Sequence, residues 1–170
     1  MSYSSYLKPG YFIFFVVILV IAIIELSISA WLTSRYNSRH DFLSTTERDR
    51  VRFLLFCSVW TTFLSPIFPV LLFLGGLEIL ASVAAHLVFL FVSWVFWLSG
   101  AAAITQSLGG GLDCEYVTIH HLVYCGQLNA LEAFAWIEWV FLTLGFVFVI
   151  VVAVRAGQRG QGYRGPMVPK

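Results

Sequence analysis

The chain has 170 residues, of which 59% are hydrophobic and only 11% charged, with a formal net charge of +1 and a mean hydropathy of +0.87. Soluble domains carry roughly 25% charged residues, so this chain lacks the polar surface to cover itself in water. The near-zero charge gives no sign of nucleic-acid binding, and the 17% aromatic content suits rings that anchor helices at a bilayer interface.

Taken in chain order, the first apolar run is YFIFFVVILVIAIIELSISAWL, residues 11–32. It is long enough to cross about 30 Å of hydrocarbon at about 1.5 Å per residue. It exceeds the ~7–15 residues of a signal-peptide core, and no A-x-A site follows, so it reads as an uncleaved first span. The polar segment 33–50 comes next. It ends in a capping box of Ser44 with Glu47 that starts the second helix before its apolar run at 51–74. GGLE, residues 75–78, is a tight turn into the third run at 79–104. A connection from about Thr105 to Gln127 leads to the fourth run at 128–154. None of the runs alternates with period two, so all read as helices. The expected architecture is an all-α integral membrane domain over residues 1–154, a bundle of four transmembrane helices. A Gly- and Arg-rich tail over 155–170 has no face to bury and is expected to be disordered.

Even-numbered spans place both termini on one side. Lys8, Arg155, Arg159, Arg164 and Lys170 then oppose Arg35, Arg39, Arg48, Arg50 and Arg52, a tie on which the positive-inside rule is silent. The cysteines break the tie. Cys114 and Cys125 flank His120 and His121 in a polar connection without Lys or Arg. A disulfide between them would persist only in an oxidising compartment, which puts this connection outside and both termini in the cytoplasm. Closing that loop would stabilise by about 3 kcal/mol. Zinc held by Cys114, Cys125 and a histidine is the competing reading, unsupported by any C-x-x-C knuckle. Thiol–quinone chemistry needs a shuttling C-x-x-C pair, and the chain has 3 cysteines and none so spaced. Cys57, inside the second run, reads as a small packing residue.

Ionisable residues inside the runs are costly in lipid and are the candidate functional groups: Glu25, His86, Glu132 and Glu138, with Arg52 at the start of the second run. Counted along the helices, Glu25 and Glu138 lie roughly 10–15 Å from the outer ends, a depth at which they can meet and share a proton or recruit a cation. The leading reading of these buried groups is that they neutralise themselves by protonation or hydrogen bonds inside the bundle and serve packing specificity, with an ion or proton pathway and contact with lipid headgroups or a partner as the alternatives. Glu132 is level with Arg52, and an ion pair between them is expected. His86 is alone at its depth and reads as a hydrogen-bonded core residue. Pro66 and Pro69 are read as tolerated kinks in the second run. Ala81, Ala84 and Ala85, then Ser99, Gly100 and Ala103, allow close helix approach on the third. No nucleophile elbow, phosphate loop or H-E-x-x-H motif is present, so no enzyme and no cofactor is indicated.

The runs RVRFLLFCSVWTTF, WVFWLSGAAAITQSLGGG and CGQLNALEAFAWIEWVFL resemble the MARVEL-domain proteins of fungi, small four-span membrane proteins. The resemblance implies an M-shaped bundle with cytoplasmic ends, at the plasma membrane, working on membrane apposition, lateral domains or trafficking. It implies membrane lipids, other membrane proteins or further copies of the chain as partners. The Cys114 and Cys125 pair matches second-outer-loop cysteines common in such proteins. An accessory subunit of a larger membrane enzyme or transporter is the alternative, and a proton- or cation-coupled carrier using Glu25 and Glu138 a third reading.

Overall fold

The computed structural model describes residues 4–40, 42, 44–74, 83–110 and 124–158. They form α1 (Ser4–Arg39), α2 (Thr45–Leu64), α3 (Ile67–Leu74), α4 (Val83–Leu108) and α5 (Cys125–Gln158). Among the described residues 4 spans are long and apolar enough to cross a membrane: Gly10–Arg39, Thr45–Val70, Ala84–Leu108 and Cys125–Val152. The GGLE turn, Ala81, Cys114, His120, His121 and the tail from 159 lie outside the described residues.

The helix ends differ from the expectation for local reasons. α1 has 36 residues, about 54 Å at helical rise, nearly twice the hydrocarbon thickness. Its last two turns, Thr33–Arg39, are polar but contain no helix breaker, so the helix runs on out of the apolar layer. It stops at His40, whose φ of 58° is left-handed. The His40 N–H closes the turn on the Tyr36 carbonyl at 3.2 Å, the single-bond C-terminal motif usually given to glycine. Ser44 then caps α2 with extended backbone and accepts the Glu47 N–H at 3.1 Å. Only this half of the expected capping box forms with Ser44, because the Glu47 carboxylate accepts from the Tyr36 hydroxyl of α1.

The second span is not one continuous helix. Pro66 and Pro69 have no N–H, so the carbonyls of Thr62 and Ser65 lose their donors and the ladder breaks between α2 and α3. Ser65 keeps right-handed helical angles and bonds Thr61 at 2.9 Å, and Val70 bonds Pro66 at 3.2 Å, so the chain keeps its direction. α4 ends where Gly109 and Gly110 take φ of 72° and 94°. The Gly110 N–H reaches the Thr105 carbonyl at 3.1 Å, a six-to-one closure that needs the left-handed turn. α5 begins at Cys125, three residues before the expected apolar run, and extends through 155–158, residues expected in the tail.

Contacts link α1 to α2, α2 to α4, α4 to α5, and α5 back to α1, a closed ring of spans. Neighbours are antiparallel. Glu47 at the start of α2 meets Tyr36 near the end of α1, and Arg50 meets the end of α4. Thr105 late in α4 meets Glu132 early in α5, and Tyr124 at the head of α5 meets Trp31 and Tyr36 late in α1.

The buried positions repeat three and four apart. On α1 they are Tyr11, Phe15, Ile18, Ala22, Glu25, Ser29, Leu32 and Tyr36. On α5 they are Leu128, Leu131, Ala135, Glu138, Leu142, Gly145 and Val149. This is the seam of a left-handed helical bundle. In lipid such a seam is held by van der Waals fit and interhelical hydrogen bonds, since tails are as apolar as leucine. Two glycines set the closest approaches. A Cβ on Gly100 would stand 2.6 Å from Leu54 Cδ2, and one on Gly145 would stand 2.2 Å from the Phe14 ring.

Candidate functional site

The interior of the ring is more polar than its outside, in three layers. The central layer holds Glu25 of α1 and Glu138 of α5, both at 0% exposure. Glu138 is within electrostatic range of Glu25, and so is Cys57 of α2. Neither oxygen of either carboxyl has a hydrogen-bond partner among the described residues. The nearby hydroxyls are committed elsewhere. Ser29 donates to the Glu25 backbone carbonyl at 2.7 Å, and Ser58 to the Leu54 carbonyl at 2.7 Å. Thr61 accepts from the Trp97 indole at 2.9 Å. The Cys57 thiol is free and points to the Phe96 carbonyl at 3.8 Å.

The layer at the α1–α2 connection end of the bundle corrects the expected Glu132–Arg52 pair. Glu132 is buried and accepts from Thr105 Oγ1 at 2.7 Å, and the same hydroxyl accepts the Trp136 indole at 2.9 Å. Arg52 is exposed rather than buried; it donates to Asn37 at 2.7 Å and lies 3.8 Å from Asp49. The two residues match in depth but not in direction, because the buried face of α2 runs through Val51, Leu54 and Cys57. Arg50 takes the interhelical role instead. It donates to the Ala103 carbonyl, to Ser107 at 2.6 Å and to Gln106 at 3.0 Å, tying α2 to the end of α4.

The layer at the opposite end, near the start of α1, holds His86, 1% exposed and hydrogen-bonded through Nε2 to the Tyr11 hydroxyl. Phe68 packs against the His86 ring at 4.7 Å and against Phe89 at 4.7 Å, with Phe15 stacked on Phe68 at 6.0 Å. Beside this layer an apolar groove of about 330 Å³ opens between α1 and α5, lined by Gly10, Tyr11, Phe14, Leu144 and Phe148 among others. Sequence reasoning missed Tyr11, the Tyr36–Glu47 bond and the indole–hydroxyl bonds. Those bonds also join Trp60 to Ser93 at 3.2 Å and Trp94 to Thr143 at 2.8 Å. A tryptophan level with a Ser or Thr on the next span was the available signal.

Of the small residues expected to pack, Gly100 faces Leu54, whereas Ala84 and Ser99 are exposed. Cys125 is buried at the head of α5. Among the described residues no group of three or more His, Cys, Asp or Glu is placed to hold a metal ion.

The outer surface is apolar on every span. Val20 and Ile24 of α1, Phe56 and Phe63 of α2, Val88 and Phe91 of α4, and Val140 and Leu144 of α5 all stand exposed. An inside-out bundle of this size and topology agrees with the one family model that matches, described as MARVEL, a membrane-associating domain, over residues 6–148. The chain belongs to the MARVEL family. No curated protein and no solved structure matches it. A membrane-associating domain with 4 helices long and apolar enough to cross a membrane among its described residues is a multi-pass integral membrane domain.

Proposed function

We propose that this MARVEL domain organises lipids or partner proteins in the plane of the membrane, serving membrane apposition, lateral domains or trafficking, and that it does so without catalysis. The observation that carries the reading is the outer face. Only 28–39% of the most apolar stretch of each span is buried within the chain, so most of its apolar side chains are left for lipid or another membrane protein. The reading places the protein in the plasma membrane with both termini cytoplasmic. Cys125 is joined to Cys114 on the outer side, pinning the head of α5 to the preceding connection. Imaging a tagged copy tests it: patches along the plasma membrane are expected, and an even soluble distribution would sink it.

A second reading, an accessory subunit of a larger membrane complex, is favoured by one feature of α4. Its exposed stripe includes Ala84, Ser99 and Ala102, small enough to admit a partner helix. Purification in mild detergent separates the two, since a stoichiometric partner at constant ratio supports the second.

A further inference from the structure

The arginines around the α1–α2 connection differ in what they bind. Arg48 lies 3.4 Å from Asp49 and 5.1 Å from the Phe42 ring centroid. Arg50 is spent on α4, and Arg52 on Asn37 and Asp49. Arg35 and Arg39 are the exceptions. Among the described residues neither donates a hydrogen bond nor forms an ion pair, and Arg39 is exposed in the last turn of α1. The Arg35 guanidinium carbon lies over the Trp31 ring, 5.2 Å from its centroid. Trp31 is in turn held edge-on by Tyr124 at 5.2 Å and 85°. A guanidinium held over a ring by cation–π attraction spends none of its N–H donors there, and those donors suit a phosphate.

Trp31, Arg35 and Arg39 are spaced four apart, so they lie on one side of α1. The same side continues inward through Ser27, Ile24 and Val20, with Trp31 39%, Ile24 36% and Val20 50% exposed. Ser27 is exposed, and its hydroxyl donates to the Ile23 carbonyl at 2.8 Å, so its proton is satisfied within the helix. From Trp31 to Val20 is about 16 Å at helical rise, close to the ~15 Å of one hydrocarbon leaflet. Arg35 and Arg39 stand beyond Trp31, at headgroup level, where an aromatic ring marks the interface.

We propose that Arg35, Arg39 and Trp31 form a binding site for the phosphate group of a phospholipid, whose acyl chain lies along Ser27, Ile24 and Val20. The inference deepens the lipid-organising reading by naming a ligand class and a site on the bundle. Charge complementarity selects the headgroup, and the apolar stripe ending at Trp31 selects a lipid over a soluble anion.

Native mass spectrometry of the full chain in detergent tests it, with phosphatidylglycerol as the probe and diacylglycerol of the same acyl chains as the phosphate-free control. The wild type is expected to retain phosphatidylglycerol and release diacylglycerol. R35Q/R39Q should lower retention about tenfold or more, the worth of at least one charge-assisted hydrogen bond. R35K/R39K, which keeps charge but not the fork, should fall between. R52Q removes an arginine from the neighbouring span and should bind as the wild type does. Equal retention by R35Q/R39Q with native helix content, equal retention of diacylglycerol, or an equal drop in R52Q would each overturn the site. So would displacement of the lipid by millimolar inorganic phosphate. Because bound lipid is counted on the isolated chain, the site can fail while plasma-membrane patches still form, and the reverse.

Discussion

Replacing Glu138 by methionine should make the bundle more stable. Among the described residues both Glu138 oxygens are fully buried and unpartnered, and the neighbouring Glu25 is in the same condition. Leaving a buried polar group unsatisfied costs about 1–3 kcal/mol, and exchanging buried ionic groups for an apolar side chain of similar volume often gains about 1–4 kcal/mol. Repacking a volume-conserving swap takes back less than about 1.5 kcal/mol. The net expectation is a gain of about 1–3 kcal/mol for E138M, and a similar gain for E25M. Each substitution also relieves the acid that remains, so the double variant should fall short of the sum by about 0.5–2 kcal/mol. Denaturant unfolding in bicelles, followed by tryptophan fluorescence, measures all three. A loss of stability in either single variant would refute the reasoning, since it would mean the carboxyls hold a stabilising partner. Strict additivity would refute the claim that the two acids act on each other.

Three further outcomes follow from the same geometry. Trp97→Phe removes the indole bond to Thr61 and should cost about 1 kcal/mol; the Trp97→Phe/Thr61→Val double variant, measured in the same unfolding assay, should cost little more than the single if the bond is the cause. Gly145→Ala drives a Cβ to 2.2 Å from the Phe14 ring and should cost about 1–3 kcal/mol as overpacking; Phe14→Leu in the same chain should restore most of it, and a silent Gly145→Ala would show that α1 and α5 do not approach there. If Cys114 and Cys125 are joined, Cys125→Ser should lower stability by about 3 kcal/mol; in unreduced wild-type protein a membrane-impermeant maleimide should then label neither, and labelling of both before reduction contradicts the bridge.

The spans themselves are plain in the sequence because lipid allows no alternative to helix for runs such as 11–32 and 128–154. The seam is harder to see. In a soluble bundle the apolar stripe marks the core, but here both faces of α1 are apolar. The buried side is betrayed instead by Glu25, Ser29 and Tyr36, four and seven apart and so on one face. Read that way, Glu25 and Glu138 both fall on the buried stripes of their helices. Depth alone misleads, as Arg52 shows. It shares a level with Glu132, but the turn of α2 points it outward to Asn37. The end of α1 misled for a different reason. Polarity in 33–39 looked like a loop, but Ser, Arg and Asn do not break a helix whose Tyr36 is anchored to Glu47. Pro66 and Pro69 were visible as kinks, and the missing donors convert them into an actual break in the ladder.

Glu25 and Glu138 are the part of the interior for which packing gives no account, because an apolar pair would serve the seam better. Their presence there is the feature a carrier reading would rest on beside the membrane-organising one. Flux of protons or monovalent cations through reconstituted vesicles that is unchanged in E25Q/E138Q would remove it.

The most direct measurement of the central claim is the lateral distribution of the labelled full chain in phase-separating giant vesicles of defined lipid composition. A surface that selects its lipids predicts enrichment in one phase and a shift of the phase boundary as protein is added. Equal density in both phases, with an unmoved boundary, would contradict it.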